Sequence, residues 1–172
     1  MAKWQLFANL IDAAMSRLGN IVSLCIPLMA ITIFVIVMLR YGFNTGAIAA
    51  QESVQYLHSI VFMLGAAIAL SADEHVRVDI FYRQFSDRQK TWVNTMGHIV
   101  FTLPVCVLIG AGSLGYVGDS WAALEASPEP GGLPWVYLLK SLIPLMAALL
   151  LLQAVAQIIR GLLCLSIKEN SP

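Results

Sequence analysis

Three histidines (His58, His75, His98), three cysteines (Cys25, Cys106, Cys164) and a few charges set among apolar runs are the residues of this chain able to do chemistry. Two histidines facing each other across helices would suit a haem iron. His58 enters one apolar run from one side and His98 enters the next from the other. At about 1.5 Å per residue they lie roughly 6 Å and 10 Å from opposite faces of a ~30 Å hydrocarbon core, leaving about 14 Å of depth between them. That is too far for one iron, and hydrogen bonding across helices is the simpler reading. The cysteines form no CxxC pair and read as small apolar fillers. No nucleophile–base pair, glycine-rich phosphate loop or metal-ligand spacing is present, so neither an enzyme nor a cofactor is expected.

The remaining candidates are charges at the edges of apolar runs. Arg40-Tyr41 follows the first run, Glu52 precedes the second, and Lys140 lies inside the last. Lys140 is six residues past Pro134, roughly 9 Å along a helix. It either snorkels to the interface or pairs with Glu125, Asp119 or a partner chain. Arg40 has the same two readings. The pentapeptide His75-Val76-Arg77-Val78-Asp79 sits in the island Asp73–Trp92, which holds four of the ten Lys/Arg. If extended, alternation puts its three polar residues on one side, and Arg77 and Asp79 can pair. This is either a docking or loop-fixing cluster or a plain solvated loop.

The elements that must position these residues are membrane spans. The 172 residues are 59% hydrophobic and 12% charged, about half the charge of a soluble domain. Zero net charge gives no reason to expect nucleic acid as a partner. Four spans are expected, at about 19–39, 53–72, 90–118 and 133–159, within one membrane domain covering 1–172. The first exceeds a signal-peptide core, and no small-residue cleavage site follows it. Residues 1–20 carry Trp4, Phe7, Leu10, Ile11, Ala14, Met15 and Leu18 at helical spacing, which predicts an amphipathic interfacial helix, either separate from the first span or continuous with it. Pro27 predicts a kink near Ser23–Pro27. Ser86-Asp87-Arg88-Gln89 reads as a capping box that starts the third helix. From Asp87 to Gly118 that helix is about 48 Å long, so it must tilt or overshoot. Pro134 suits the first turn of span four. Gly65…Ala69 and Ala111…Gly115 offer small faces for helix contact, and Gln153 and Gln157 could bond a neighbour.

With the N-terminus inside, the inner segments (including loop 73–89) carry eight of the ten Lys/Arg, while loops 40–52 and 119–132 face the periplasm. The expected fold class is an all-α integral membrane protein with four transmembrane helices, both termini cytoplasmic, and long tilted helices three and four. No Asp or Glu falls in the middle of a span, which argues against a self-sufficient ion-coupled carrier.

Arg40-Tyr41, Glu52, Leu64-Gly65-Ala66, His75-Val76-Arg77-Val78-Asp79, Pro134-Trp135, Lys140, Pro144 and Leu152-Gln153 together resemble the small membrane subunit, DctQ type, of tripartite ATP-independent periplasmic (TRAP) transporters. The resemblance covers roughly residues 20–160. It departs before Glu52, where the family often has a tryptophan and Gly46–Gln51 has none. It implies a non-catalytic scaffold in the bacterial inner membrane, without a cofactor. The implied partners are a large multi-span permease subunit, a periplasmic substrate-binding protein and membrane lipid. The whole would import an organic acid with sodium, the small subunit bracing the large one. Arg40, Tyr41, Glu52, His75, Arg77, Asp79 and Lys140 are the expected assembly or structural polar sites. The rival readings are a haem-bearing anchor of an electron-transfer complex and a self-contained small transporter.

Overall fold

Long apolar runs broken by polar turns leave helix as the form that satisfies the backbone inside lipid. A computed structural model describes residues 2–74, 82 and 84–169. Among them the chain is helical, with no strand. The helices are α1 (Ala2–Ser23), α2 (Cys25–Phe43), α3 (Ile48–Ser71), α4 (Asp87–Gly97), α5 (Leu103–Ala122) and α6 (Val136–Glu169), with a π turn, His98–Thr102, joining α4 to α5. Four stretches are long and apolar enough to cross a membrane: Lys3–Phe43, Ile48–Ser71, Asp87–Ala122 and Val136–Ser166. His75, Arg77 and Asp79 lie outside the described residues.

α6 is the hub. It packs against α1, α3, α4 and α5, while α2 leans on α3 and α1 and buries no residue of its own. The contacts are made by small residues. Ala67, Ala154 and Ala156 are 0% exposed, and a Cβ on Gly110 would lie 3.5 Å from that of Ala147. At Gly161 an added Cβ would land on the hydroxyl of buried Thr95, so glycine is required for α4 and α6 to approach. Small residues matter because an apolar side chain gains little by exchanging a lipid tail for another side chain, whereas close backbone approach adds dispersion contacts.

Each interrupted helix has a proline behind it, because proline supplies no N–H to the carbonyl four residues back. Pro27 leaves the Ser23 carbonyl unmatched, and the helix breaks at Leu24, within the expected kink. Pro104 follows the π turn, where the Leu103 N–H reaches the His98 carbonyl. Pro144 lies inside α6, which runs on unbroken.

The structure corrects several boundaries and one role. α3 begins at Ile48, so Glu52 lies inside a helix rather than in loop 40–52. α5 runs to Ala122, which makes Asp119 helical, and Pro134 precedes α6 instead of occupying its first turn. Hydropathy marks what lipid covers, and helices continue beyond it because extending a formed helix is easier than starting one. α1 is amphipathic, but not merely interfacial. Ala8, Ile11 and Met15 are buried against Ala67 and Ala156, while Trp4, Phe7 and Leu10 remain exposed. The small faces also differ. Cβ atoms at Gly65 and Gly115 would meet nothing within 4 Å, so neither glycine is a point of close helix contact among the described residues.

Asp12 turns inward and pairs with Arg160, which also bonds the Ala8 carbonyl at 3.1 Å. Gln153, 0% exposed, donates to Asp12 at 3.0 Å, and Gln157 donates to the Leu70 carbonyl at 3.4 Å. The expected cross-helix glutamine bonds are therefore made. Asp12→Ala should strand Arg160 and Gln153 and destabilise α1 docking by about 1–3 kcal/mol, read as a lower melting temperature and faster proteolysis within residues 1–23. Gly161→Ala should cost about 1–3 kcal/mol by overpacking, and Thr95→Ala added to it should restore part of that loss.

Candidate functional site

The richest polar geometry lies at the end of the bundle opposite Asp12, where α3, α5 and α6 meet the connection 123–135. α5 ends in a Schellman motif. The Leu124 and Glu125 N–H groups return to the Trp121 and Ser120 carbonyls at 3.2 and 3.0 Å. Leu124 has φ of +45°, a left-handed conformation usually left to glycine; a branched side chain there costs of order 1 kcal/mol and persists because its surroundings hold it. The turn aims Glu125 back at α6. Its carboxylate pairs with Lys140 and accepts from the Ser120 hydroxyl at 2.6 Å, while its carbonyl accepts the Val136 N–H at 3.1 Å.

Lys140 is 16% exposed and lies 4.1 Å from the centre of the Tyr116 ring. Of its two sequence readings, the structure takes the paired one, with Glu125 as partner. Trp121 extends the same seam, donating to the Ser141 hydroxyl at 2.8 Å and meeting Tyr137 edge to face at 4.6 Å.

Glu52 forms the second anchor. From the first turns of α3 it accepts the Leu133 N–H at 2.6 Å and the Ser127 hydroxyl. The Ser127 hydroxyl also accepts the Glu129 N–H at 3.1 Å, and the Ser127 N–H reaches the Leu133 carbonyl at 3.0 Å. Gly132 makes this possible: a Cβ there would lie 2.7 Å from the Glu52 carboxylate and would run into Ser127. Gly131, with φ of +81°, supplies the reversal. Two carboxylates thus tie this loop to three helices, Glu52 to α3 and Glu125 to α5 and α6.

The sequence candidates separate accordingly. Glu52 and Lys140 converge on this loop from different helices. Arg40 and Tyr41 sit apart at the end of α2, with Tyr41 82% exposed. Sequence reasoning missed Ser120, Ser127, Gly132, Tyr116 and Ser141, and the inward role of Asp12. The only local signal was Gly131-Gly132 beside two prolines. His58, exposed and stacked on Phe62, and His98, bonded to Thr102 at 3.3 Å within the π turn, lie in different helical segments. Among the described residues no group of three or more His, Cys, Asp or Glu is arranged to hold a metal.

Lys140, and then the Ser120 hydroxyl, hold the Glu125 carboxyl below its ordinary value of 4.5. A depressed folded value means the stabilisation is present above the unfolded pKa and is lost as pH falls through the lower folded one. The loop should therefore stay clamped at neutral pH and loosen only below about pH 4.5. Trp121 and Trp135 fluorescence and proteolysis of residues 123–135 report this, and Lys140→Met should move the loosening to higher pH. Gly132→Ala and Glu52→Ala should each open the loop at pH 7 in the same proteolysis assay.

The family model described as tripartite ATP-independent periplasmic transporters, DctQ component, matches residues 29–164. A protein of Haemophilus influenzae named as a TRAP transporter small permease protein is 42% identical over 60 residues, 33% of this chain. The match spans 37% of that relative's length. No solved structure matches.

Proposed function

The chain belongs to the DctQ-component family of tripartite ATP-independent periplasmic transporters, and on that premise we propose that it is a non-catalytic scaffold subunit bracing a larger permease. It is a multi-pass protein of the inner membrane. The partners proposed are the large multi-span permease subunit, which would carry the solute and sodium sites, and a periplasmic substrate-binding protein. The cargo proposed is an organic acid imported with sodium.

The observation that carries the brace reading is where the charges lie. Charged side chains are absent from Ser53–Ala72, from Thr91–Gly118 and from Ser141–Ile159. Ion-coupled carriers place ionisable groups near the midplane. Here Lys140, Glu125, Asp12 and Arg160 are each engaged in an intramolecular pair. Such a chain has rigid ends and an unreactive middle, which suits a part that holds still while another moves. The excess of Lys/Arg on the Asp12 end supports an orientation with that end, and both termini, in the cytoplasm. The Glu52 loop would then face the periplasm, on the side from which a binding protein approaches. Uncovered small residues at Gly65 and Gly115 support contact with the large subunit through α3 and α5.

Deleting this chain while retaining the large permease should reduce uptake to background; undiminished uptake overturns the reading. Arg77→Ala and Asp79→Asn should reduce co-purification of the large subunit and the uptake rate, with the order of substrate preference unchanged. Normal transport by both variants would leave the island a topogenic loop only.

A further inference from the structure

The α2–α3 turn holds a polar pocket of about 410 Å³ lined by Arg40, Asn44, Thr45, Gly46 and Gln51. No acidic residue lines it. Arg40 is exposed and is paired with no carboxylate among the described residues, whose ion pairs are Lys140–Glu125 and Arg160–Asp12. Glu52, the nearest acid in sequence, is engaged by Ser127 and Leu133. The side-chain amides of Asn44 and Gln51 bond no other described residue, so both offer donors to the pocket. Thr45 is turned away, its hydroxyl donating to the Phe43 carbonyl at 3.1 Å. α3 starts beside the pocket at Ala47 with no side-chain cap and no acid in its first turn, which adds a positive field to a site already defined by the guanidinium.

We propose that this pocket binds the phosphodiester of a membrane phospholipid, with Arg40 as a forked donor and Asn44 and Gln51 as lateral donors. Charge complementarity selects an anion, since one planar cation and two amides converge without an acid. Depth selects a lipid. Arg40 closes a helix long and apolar enough to cross the membrane, and its neighbours Tyr41 and Phe43 are 82% and 75% exposed. Amphipathic and aromatic side chains take up this level, where headgroups lie. The apolar stretch of α2 before Arg40 buries no residue and runs alongside the acyl chains such a headgroup would carry. The inference depends on the inner-membrane location and not on the bracing role, so either can fail alone.

The test uses the full-length chain released from nanodiscs of phosphatidylethanolamine and phosphatidylglycerol, with retained phospholipid counted by native mass spectrometry. Wild type should retain phospholipid that Arg40→Gln binds about tenfold more weakly, the loss of one charge-assisted contact. Arg40→Lys should keep only part of the binding, because an ammonium holds the charge but not the fork, and Asn44→Ala with Gln51→Ala should weaken it several-fold. Melting temperatures should match for the Arg40 and Gln51 variants, whose side chains hold no internal bond, whereas Asn44→Ala should lower it slightly, because Asn44 caps α2 in the left-handed conformation at φ +51°. A phosphate-free glycolipid should not substitute. Equal retention by wild type and Arg40→Gln overturns the proposal. Displacement by millimolar inorganic phosphate also overturns it, by making free phosphate the ligand. So does loss of co-expressed large permease from Arg40→Gln with the lipid count unchanged, which would assign Arg40 to a protein interface.

Discussion

Inside hydrocarbon an apolar side chain gains little by leaving a lipid tail for a neighbouring helix, so polar ties and close backbone approach must hold these helices together. The rest of the structure follows from that constraint. The polar ties fall in two layers. One joins α1 to α6 through Asp12, Gln153 and Arg160. The other joins α3, α5 and α6 through Glu52, Glu125 and Lys140. Lys140 and Arg160 are twenty residues apart on α6, about 30 Å of helix, which is the thickness of a hydrocarbon core. One long helix therefore carries the charged partner of both layers. Between them the bundle relies on Ala67, Ala147, Ala154, Ala156 and Gly110.

What the sequence makes legible is what local chemistry decides. The capping box at Ser86 forms in full, with the Gln89 side chain accepting the Ser86 N–H at 2.9 Å. Spans are legible because their length and hydropathy answer directly to lipid. Gln153 and Gln157 are legible as tie residues because a polar amide within a span must find a partner. The helix ends are less so, since Glu52 and Asp119 look like loop residues until the helices are seen to continue through them.

Residues tied across long separations are the least legible. Glu52 meets Leu133 from 81 positions away and Gln153 meets Asp12 from 141. A helical period says which residues share a face, and nothing in it says which neighbour covers that face. Gly65…Ala69 and Ala67 lie on nearly opposite faces of α3, about 200° apart, and the structure buries Ala67 and leaves Gly65 open. Asp12 shows the same limit. It sits off the apolar stripe of α1, and its partner Arg160 lies 148 positions away on another helix.

The two carboxylate anchors of loop 123–135 differ in what they fix. Glu125 closes a loop onto its own flanking helices, α5 and α6, and a short-range hairpin of this kind needs few residues to hold it. Glu52 comes from α3, outside that hairpin, and joins it to the other half of the bundle. Its acceptors take one backbone N–H and one hydroxyl, with Gly132 leaving the room. Removing Glu125 would free a turn, whereas removing Glu52 would let the α5–α6 pair shift against α3 at this end, with Asp12 and Arg160 still holding the other. The proposed bracing role requires resistance to that shear between helices, and Glu52 is the residue whose geometry opposes it.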